Sequence, residues 1–418
     1  MTASPIRSRE HLLHMLAEAS ELEHNLLCSY LYAAFSLKQG LHEDLDPHEL
    51  DAVRRWRAVV MQVCMEEMVH LAQVANLMVA VGSRPHFDRP NLPVGPGYHP
   101  ARIQVALAPL DLETLDHFIF LERPETSDLE DAASFRPAEA YRRQAEVGVL
   151  MPSAPDYGTI GEFYELLTTG LGGLAREMGE SDLFIGPSDH QLRPDDIGAP
   201  DLSVVTDLAT ATRALQLIVV QGEGAPGTGE SSHFDKFSGI KKEYLALVAR
   251  RSSFRPSRNV ARNPVMRRPV SGGRVHVTHP VAAPVLDAAN AVYSLMLRCL
   301  VAFYDTSSRR APLRKALLEG ALGLMKLLAG ISDALTLLPA NGLDDVTAGV
   351  TFAMLRSTEG LVPGVDVALV LAQRFDRIRR QLPRLELPAG TIDALMDQVD
   401  ASAGPIGAQT RFGRDGSG

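Results

Sequence analysis

Apolar positions over the first 250 residues recur at alternating steps of three and four, the period of helices with one buried face. Between about residues 9 and 39 the stripe reads Leu12, Leu16, Ala19, Glu23, Leu26 and Tyr30, with Ser8 as the N-cap and Gly40 as the stop. A second helix, over about 47–81 and closed by Gly82, carries Trp56, Val60, Val63, Glu67, His70, Val74 and Leu77 on one face. Residues 112–122 predict a short helix. A third long helix starts near Asp156 or Thr159 and runs to about Met178, and a fourth spans about 202–221. After the glycine-rich break at 221–229 the helical pattern resumes at Ser231, with His233, Phe237, Ile240, Tyr244 and Leu247 on one face.

Between these helices, residues 83–111 are rich in Pro and Gly and predict a long loop with one short strand over Ile103–Leu107. Loops of this length are often pocket walls or lids. Residues 123–157 are polar and carry no assignable pattern. Residues 253–280, rich in Arg and Pro, predict a linker, and 281–402 four or five amphipathic helices, such as Val285–Phe303 and Pro312–Leu338. The expected fold is all-α: a four-helix bundle domain over 1–252, the linker, a second helical bundle over 281–403 and a disordered tail over 404–418.

Composition narrows the function classes. The chain has 418 residues, 45% of them hydrophobic and 22% charged, enough for two or three domains. A net charge of −10 without a long basic run argues against nucleic acid. Apolar runs such as Leu77–Val81 are too short to span a bilayer, and the start, Met-Thr-Ala-Ser-Pro, shows no apolar signal segment. Cys28, Cys64 and Cys299 are scattered through apolar stretches, which predicts buried free thiols and a reducing cytoplasm.

The chemistry sits on the apolar stripes. Carboxylates are rarely buried unless paired or bound to metal, yet Glu23, Glu67 and His70 fall on buried seams. Glu67-Met-Val-His70 places a carboxylate and an imidazole one turn apart, able to grip one metal ion. Dimetal bundles use this logic twice, with a Glu from each of two helices and Glu-x-x-His from each of the other two. The expected ligand set is Glu23, Glu67, His70, Glu162 and a fourth-helix group. Glu165 could exchange with Glu162 through a shift of the helix boundary. The fourth group is His233 with either Glu223 or Glu230, and Glu223 is favoured. Glu66 falls off the stripe, as a solvated or outer residue. Tyr30, two turns from Glu23 on the same face, is either core packing or a hydrogen-bonding or redox-active neighbour of the metals, and it is the candidate catalytic side chain.

Residues 19–31 (Ala-Ser-Glu-Leu-Glu-His-Asn-Leu-Leu-Cys-Ser-Tyr-Leu), 66–71 (Glu-Glu-Met-Val-His-Leu), 159–164 (Thr-Ile-Gly-Glu-Phe-Tyr), Gln-Gly-Glu-Gly at 221–224 and Ser-His-Phe at 232–234 resemble a ferritin-like family. That family includes the domain of the iminophenyl-pyruvate dimer synthases of the violacein and rebeccamycin pathways. The segment Leu107–Glu125, ending Phe-Leu-Glu-Arg-Pro-Glu, fits the same pattern. The resemblance covers about residues 8–250 and, more loosely, the second half. This chain is much shorter than the named synthases.

The resemblance implies a ferritin-like four-helix bundle and oxidative chemistry in a biosynthetic pathway. Three functions are consistent with residues and resemblance together. The first is a non-haem dimetal oxidase or oxygenase with two iron ions, manganese being the alternative, and dioxygen as co-substrate, acting on a small amino-acid-derived molecule. The second is an imine dimer synthase, and the third a metal-binding or scaffold protein without turnover. The C-terminal helices are expected to close the pocket or form a homo-oligomer interface. No nucleic-acid or membrane partner is expected.

Overall fold

The structure, a computed structural model, describes residues 6–95, 98–99, 103–136, 155–224, 232–268, 272–343, 345–354, 360–362 and 365–415. The chain divides into two compact units, one of residues 1–86, 93–106 and 110–257, the other of residues 87–92, 107–109 and 258–418.

The first unit contains α1 (Arg9–Ser36), α2 (Pro47–Ala80), α3 (Leu112–Leu121), α4 (Ile160–Met178), the single turns α5 (Glu180–Leu183) and α6 (Pro194–Ile197), α7 (Leu208–Gly222) and α8 (His233–Arg250). Helix α1 packs along α2, α3 along α8 and α4 along α7, while α2 also meets α7 and α8 and α1 meets α4. Two long helices thus face two pairs of shorter ones.

The helix starts follow from local chemistry. A helix leaves its first N–H groups without partners, and a side-chain oxygen just before it can accept one. Ser8, Asp46, Asp111, Thr159, Asp207 and Ser232 do this for α1, α2, α3, α4, α7 and α8. Pro47 sits in the first turn of α2, where its missing N–H costs nothing. Gly82 follows the end of that helix at a φ of +93°.

The predicted stripes are the buried faces. Leu12, Leu16, Ala19, Glu23, Leu26 and Tyr30 of α1 are buried, as are Trp56, Val60, Val63, Glu67, His70, Val74 and Leu77 of α2. The expected strand at Ile103–Leu107 is absent. Those residues form no ladder, though Val105 accepts one backbone bond, from Val94 at 3.0 Å.

The second unit is built on α9 (Ala282–Tyr304), α10 (Ala311–Leu335), α11 (Val367–Gln381) and α12 (Ala389–Asp415), with α9 and α12 each packing on both α10 and α11. In the expected linker, Pro264–Val265 pairs in parallel with Val275–His276. The sequence reading placed every apolar run below membrane length. Helix α9 differs, reaching a mean hydropathy of 1.4 over an 18-residue window, long and apolar enough by composition to cross a bilayer. Of that window, 67% is buried within the protein.

The expected disordered tail is also corrected, because α12 runs on to Asp415 through Pro405. Gly404 and Pro405 suggested a break. Tertiary packing overrides that local preference: Ile406 is fully buried, and a Cβ at Gly320 of α10 would come within 2.8 Å of its Cδ1. Close approach of the two helices therefore needs glycine on one side and Ile406 on the other. Ile406→Ala should destabilise this unit by about 2–5 kcal/mol in urea unfolding. An unchanged transition would mean that the last turns of α12 add nothing to the core.

Candidate metal centre

Five charged side chains meet inside the first bundle: Glu23 from α1, Glu67 and His70 from α2, Glu122 at the end of α3 and His233 at the start of α8, none more than 4% exposed. They form two groups, Glu23–Glu67–His70 and Glu67–Glu122–His233. Within each group one ligand atom per residue lies within 4.8 Å of the others. Glu67 belongs to both. Its Oε2 lies 3.4 Å from His70 Nδ1, and its Oε1 lies 3.0 Å from His233 Nδ1. Glu23 Oε2 is 3.3 Å from His70 Nδ1, and Glu122 Oε2 is 3.7 Å from His233 Nδ1. The two imidazoles stack at 5.5 Å with a 30° tilt.

These groups fit divalent metals. Glu67 Oε2 and His233 Nδ1 are buried and lack a hydrogen-bond partner of acceptable geometry, whereas native proteins satisfy nearly all such atoms. Carboxylate oxygens with imidazole nitrogens suit iron or manganese. The cavity lined by all five side chains has a volume of about 10 Å³, the room of about one water-sized sphere. Its walls also include Ile160, Gly161, Tyr164, Ile218, Gly222 and Glu223.

Buried tyrosines hold the unshared carboxylates. Tyr30 donates its hydroxyl to Glu122, and Tyr164 donates to Glu23. The Tyr30 ring packs against Phe118 and Phe237, with centroids at 4.6 and 5.0 Å. Arg123 braces the end of α3, donating to Gly158 O at 2.6 Å with its guanidinium 3.7 Å from the centre of the Phe120 ring.

Of the sequence candidates, Glu23, Glu67, His70 and His233 converge here, and Tyr30 touches the centre through Glu122. Glu162 does not. It occupies the third position of α4, where its backbone N–H donates to Thr159 Oγ1 at 3.1 Å and its own carboxylate accepts from Gly158 N–H. Thr159-Ile-Gly-Glu162 is a helix-start signature, and it explains the diversion. Glu165 is exposed, and Tyr164 is the inward group of that turn. Glu223, at the end of α7, lines the cavity but belongs to neither group, and its Oε1 accepts from Gly161 N–H at 2.8 Å. A Cβ on Gly161 would collide with that carboxylate. Glu230 lies outside the described residues.

Glu122, a member of one of the two groups that could hold a metal, is not among the sequence candidates. Leu115, Phe118 and Glu122 continue a three-and-four stripe, so periodicity carried the signal. It was obscured because α3 is only ten residues long and Glu122 stands at its end.

Burial pushes the Glu23 carboxyl up, and the Glu67 charge adds to this, bringing it to about 8. Burial works against a charged His70, but Glu23 and Glu67 outweigh it and raise the imidazole to about 10. Burial likewise opposes His233, and Glu122, Glu66 and Glu67 together raise it well above the ordinary value. Glu67 itself is pushed up by burial, but His233 and His70 hold it below the usual carboxylate range. Burial, followed by Glu122 repulsion against the opposing Gly161 hydrogen bond, leaves Glu223 at about 7. Without metal, protons on the imidazoles supply the positive charge.

Two outcomes are expected. Glu122→Ala should remove one of two bound metals, whereas Glu162→Ala should keep both and cost about 1 kcal/mol at the helix start. Equal loss from both variants, by metal titration, would contradict this ligand set. The second concerns pH. Glu23 and His70 have folded values of about 8 and about 10, above their ordinary 4.5 and 6.5. Their stabilising contribution is complete below the ordinary values and is lost as pH rises through the folded ones. Metal-free protein should therefore lose thermal stability progressively from about pH 4.5 towards about pH 10. Metal binding displaces the same protons, so the rise in melting temperature on adding Mn²⁺ should grow over that window. A difference that stays constant or shrinks would contradict the assignment.

Comparison with known proteins shows the family. A family model described as Ferritin-like matches residues 16–242, more than half of the chain. Dichlorochromopyrrolate synthase from Lentzea aerocolonigenes is 30% identical, the match covering 97% of this chain and 42% of the relative. The 2-imino-3-(indol-3-yl)propanoate dimerase of Chromobacterium violaceum is 27% identical over 94% of this chain and 39% of its own. The chain thus spans about two-fifths of the length of these relatives. A crystal structure of a ferritin-like protein from Caulobacter vibrioides covers 79% of this chain at 21% identity, with a TM-score of 0.46. The buried helix stripes and the matched family model together place the chain in the ferritin-like family.

Proposed function

We propose that the chain is a dimetal oxidoreductase of specialised-metabolite biosynthesis, holding two iron ions, or manganese in their place, and using dioxygen on a small amino-acid-derived substrate. The observation that carries this reading is the pair of buried Glu/His groups sharing Glu67. Iron held there would supply the redox capacity that no protein side chain in the centre has. The relatives, one named as a synthase and the other as a dimerase, support a synthetic role.

The protein's own part in the chemistry follows from the contacts. Glu67 would contribute to both positions, since its Oε2 faces His70 and its Oε1 faces His233. Tyr30, the candidate catalytic residue, keeps a phenolic proton on Glu122, and Tyr164 keeps one on Glu23. Each proton is one hydrogen bond from a ligand oxygen. The apolar walls from Leu26, Ile160 and Ile218 exclude water. Glu223 is a half-buried polar wall residue tied to the backbone of Gly161. An organic substrate would enter as that contact opens.

Glu67→Ala, which alters both groups, should abolish metal binding and dioxygen consumption together, and His70→Ala should lose one metal and dioxygen consumption; retention of both metals and of activity in either variant would contradict the reading. Imine dimerisation is the second reading, favoured by the name of the Chromobacterium violaceum relative. Incubation with freshly generated 2-imino-3-(indol-3-yl)propanoate separates the two. A dimer formed without external reductant supports dimerisation, and substrate-dependent dioxygen uptake that requires a reductant supports the oxidase reading.

A further inference from the structure

The two metal positions have matched inner sets. Each combines the shared Glu67, one unshared glutamate and one histidine. Each unshared glutamate accepts a hydrogen bond from one buried tyrosine, Tyr164 at Glu23 and Tyr30 at Glu122. Both histidines turn Nδ1 inward. They differ at the outer nitrogen. His70 Nε2 lies 2.8 Å from the amide oxygen of Gln221, whereas His233 Nε2 lies 2.9 Å from a carboxylate oxygen of Glu66.

Helix α2 produces this asymmetry with consecutive residues. Glu67 points into the bundle, while Glu66 stands about 100° round the helix and reaches the far side of the His233 ring. Glu66 is itself held in place, accepting from Lys236 Nζ at 2.6 Å and from Gln62 Nε2 at 2.9 Å. Gln221, on α7 two residues before Glu223, supplies a neutral acceptor to His70.

The acceptor behind a ligand histidine controls its basicity. A carboxylate draws the outer N–H proton more strongly than an amide oxygen and makes the inner nitrogen a better donor to a cation. Lys236 offsets part of the Glu66 charge without changing its sign as an acceptor. From this we propose that Glu66 and Gln221 make the two metal positions unequal: the Glu67–Glu122–His233 position fills first and the Glu23–Glu67–His70 position second. Glu66 and Gln221 act here as positioning residues. The inference rests on the dimetal reading above and adds an order of filling and the residues that set it.

The test is a calorimetric titration of the metal-free 418-residue chain with Mn²⁺ at fixed pH, with no substrate or turnover involved. Two steps are expected, separated by roughly 10- to 100-fold in affinity, the usual effect of such an outer partner. His70→Ala should lose the weak step and keep the tight one, and His233→Ala should do the reverse. Glu66→Gln, which keeps shape and acceptor, should weaken the tight step by about 10-fold. Gln221→Glu should strengthen the weak step, and it tests the idea independently should Glu66→Gln disturb folding. The double variant should reverse the order of filling. Two indistinguishable steps in the unaltered chain, or an affinity ratio unmoved by both single variants, would overturn the inequality while leaving the metal centre standing. No binding at all would overturn the centre with it.

Discussion

The constraint on which the first unit depends is electrostatic: three carboxylates and two imidazoles are buried together in the middle of a helical bundle. Each buried charge costs several kcal/mol unless something offsets it. Carboxylates cannot all stay ionised this close together without compensating positive charge. Protons on Glu23, His70 and His233 relieve the repulsion without metal, and divalent cations would provide the positive charge more fully. The repulsion that raises Glu23 and the attraction that holds Glu67 low are two sides of this balance.

Much of the surrounding architecture follows from delivering those groups to one place. Helices α1 and α2 are long enough to carry Glu23, Glu67 and His70 mid-length, within buried stripes. On the other side the candidate ligands stand at helix ends, Glu122 after α3 and His233 opening α8. Helix ends are less constrained than helix middles, so the chain fixes them by other means. Arg123 ties the end of α3 to Gly158, and Ser232 with Asp235 caps α8. Tyr30 and Tyr164 reach across to the unshared carboxylates. Among the described residues, both metal-capable groups lie in the first unit, and the second is a bundle packed through glycines of α10.

What the sequence made legible and what it hid divide along the same physical line. Candidate ligands inside long periodic helices, Glu23, Glu67 and His70, were readable because a carboxylate on an apolar stripe stands out against its neighbours. Candidates at helix ends were harder to read. His233 was found from the stripe of α8, but Glu122 escaped because too few turns precede it. Glu162 was misplaced because a helix-start glutamate and an inward glutamate share the same residue type, and only Thr159 three positions earlier separates them. The asymmetry between Glu66 and Gln221 could not be read from spacing, since it depends on which atom of each ring faces outward. The last turns of α12 were hidden because Gly404 and Pro405 suggest disorder locally, while the burial of Ile406 is a tertiary fact.

The central claim, that this buried cluster is a dimetal centre, is tested most directly by counting metals. The unaltered 418-residue chain, produced with iron and manganese available and stripped of loosely held ions, should contain two metal ions by elemental mass spectrometry. A chain free of metal even after reconstitution would contradict the account and leave the buried glutamates and histidines as a proton-balanced structural network.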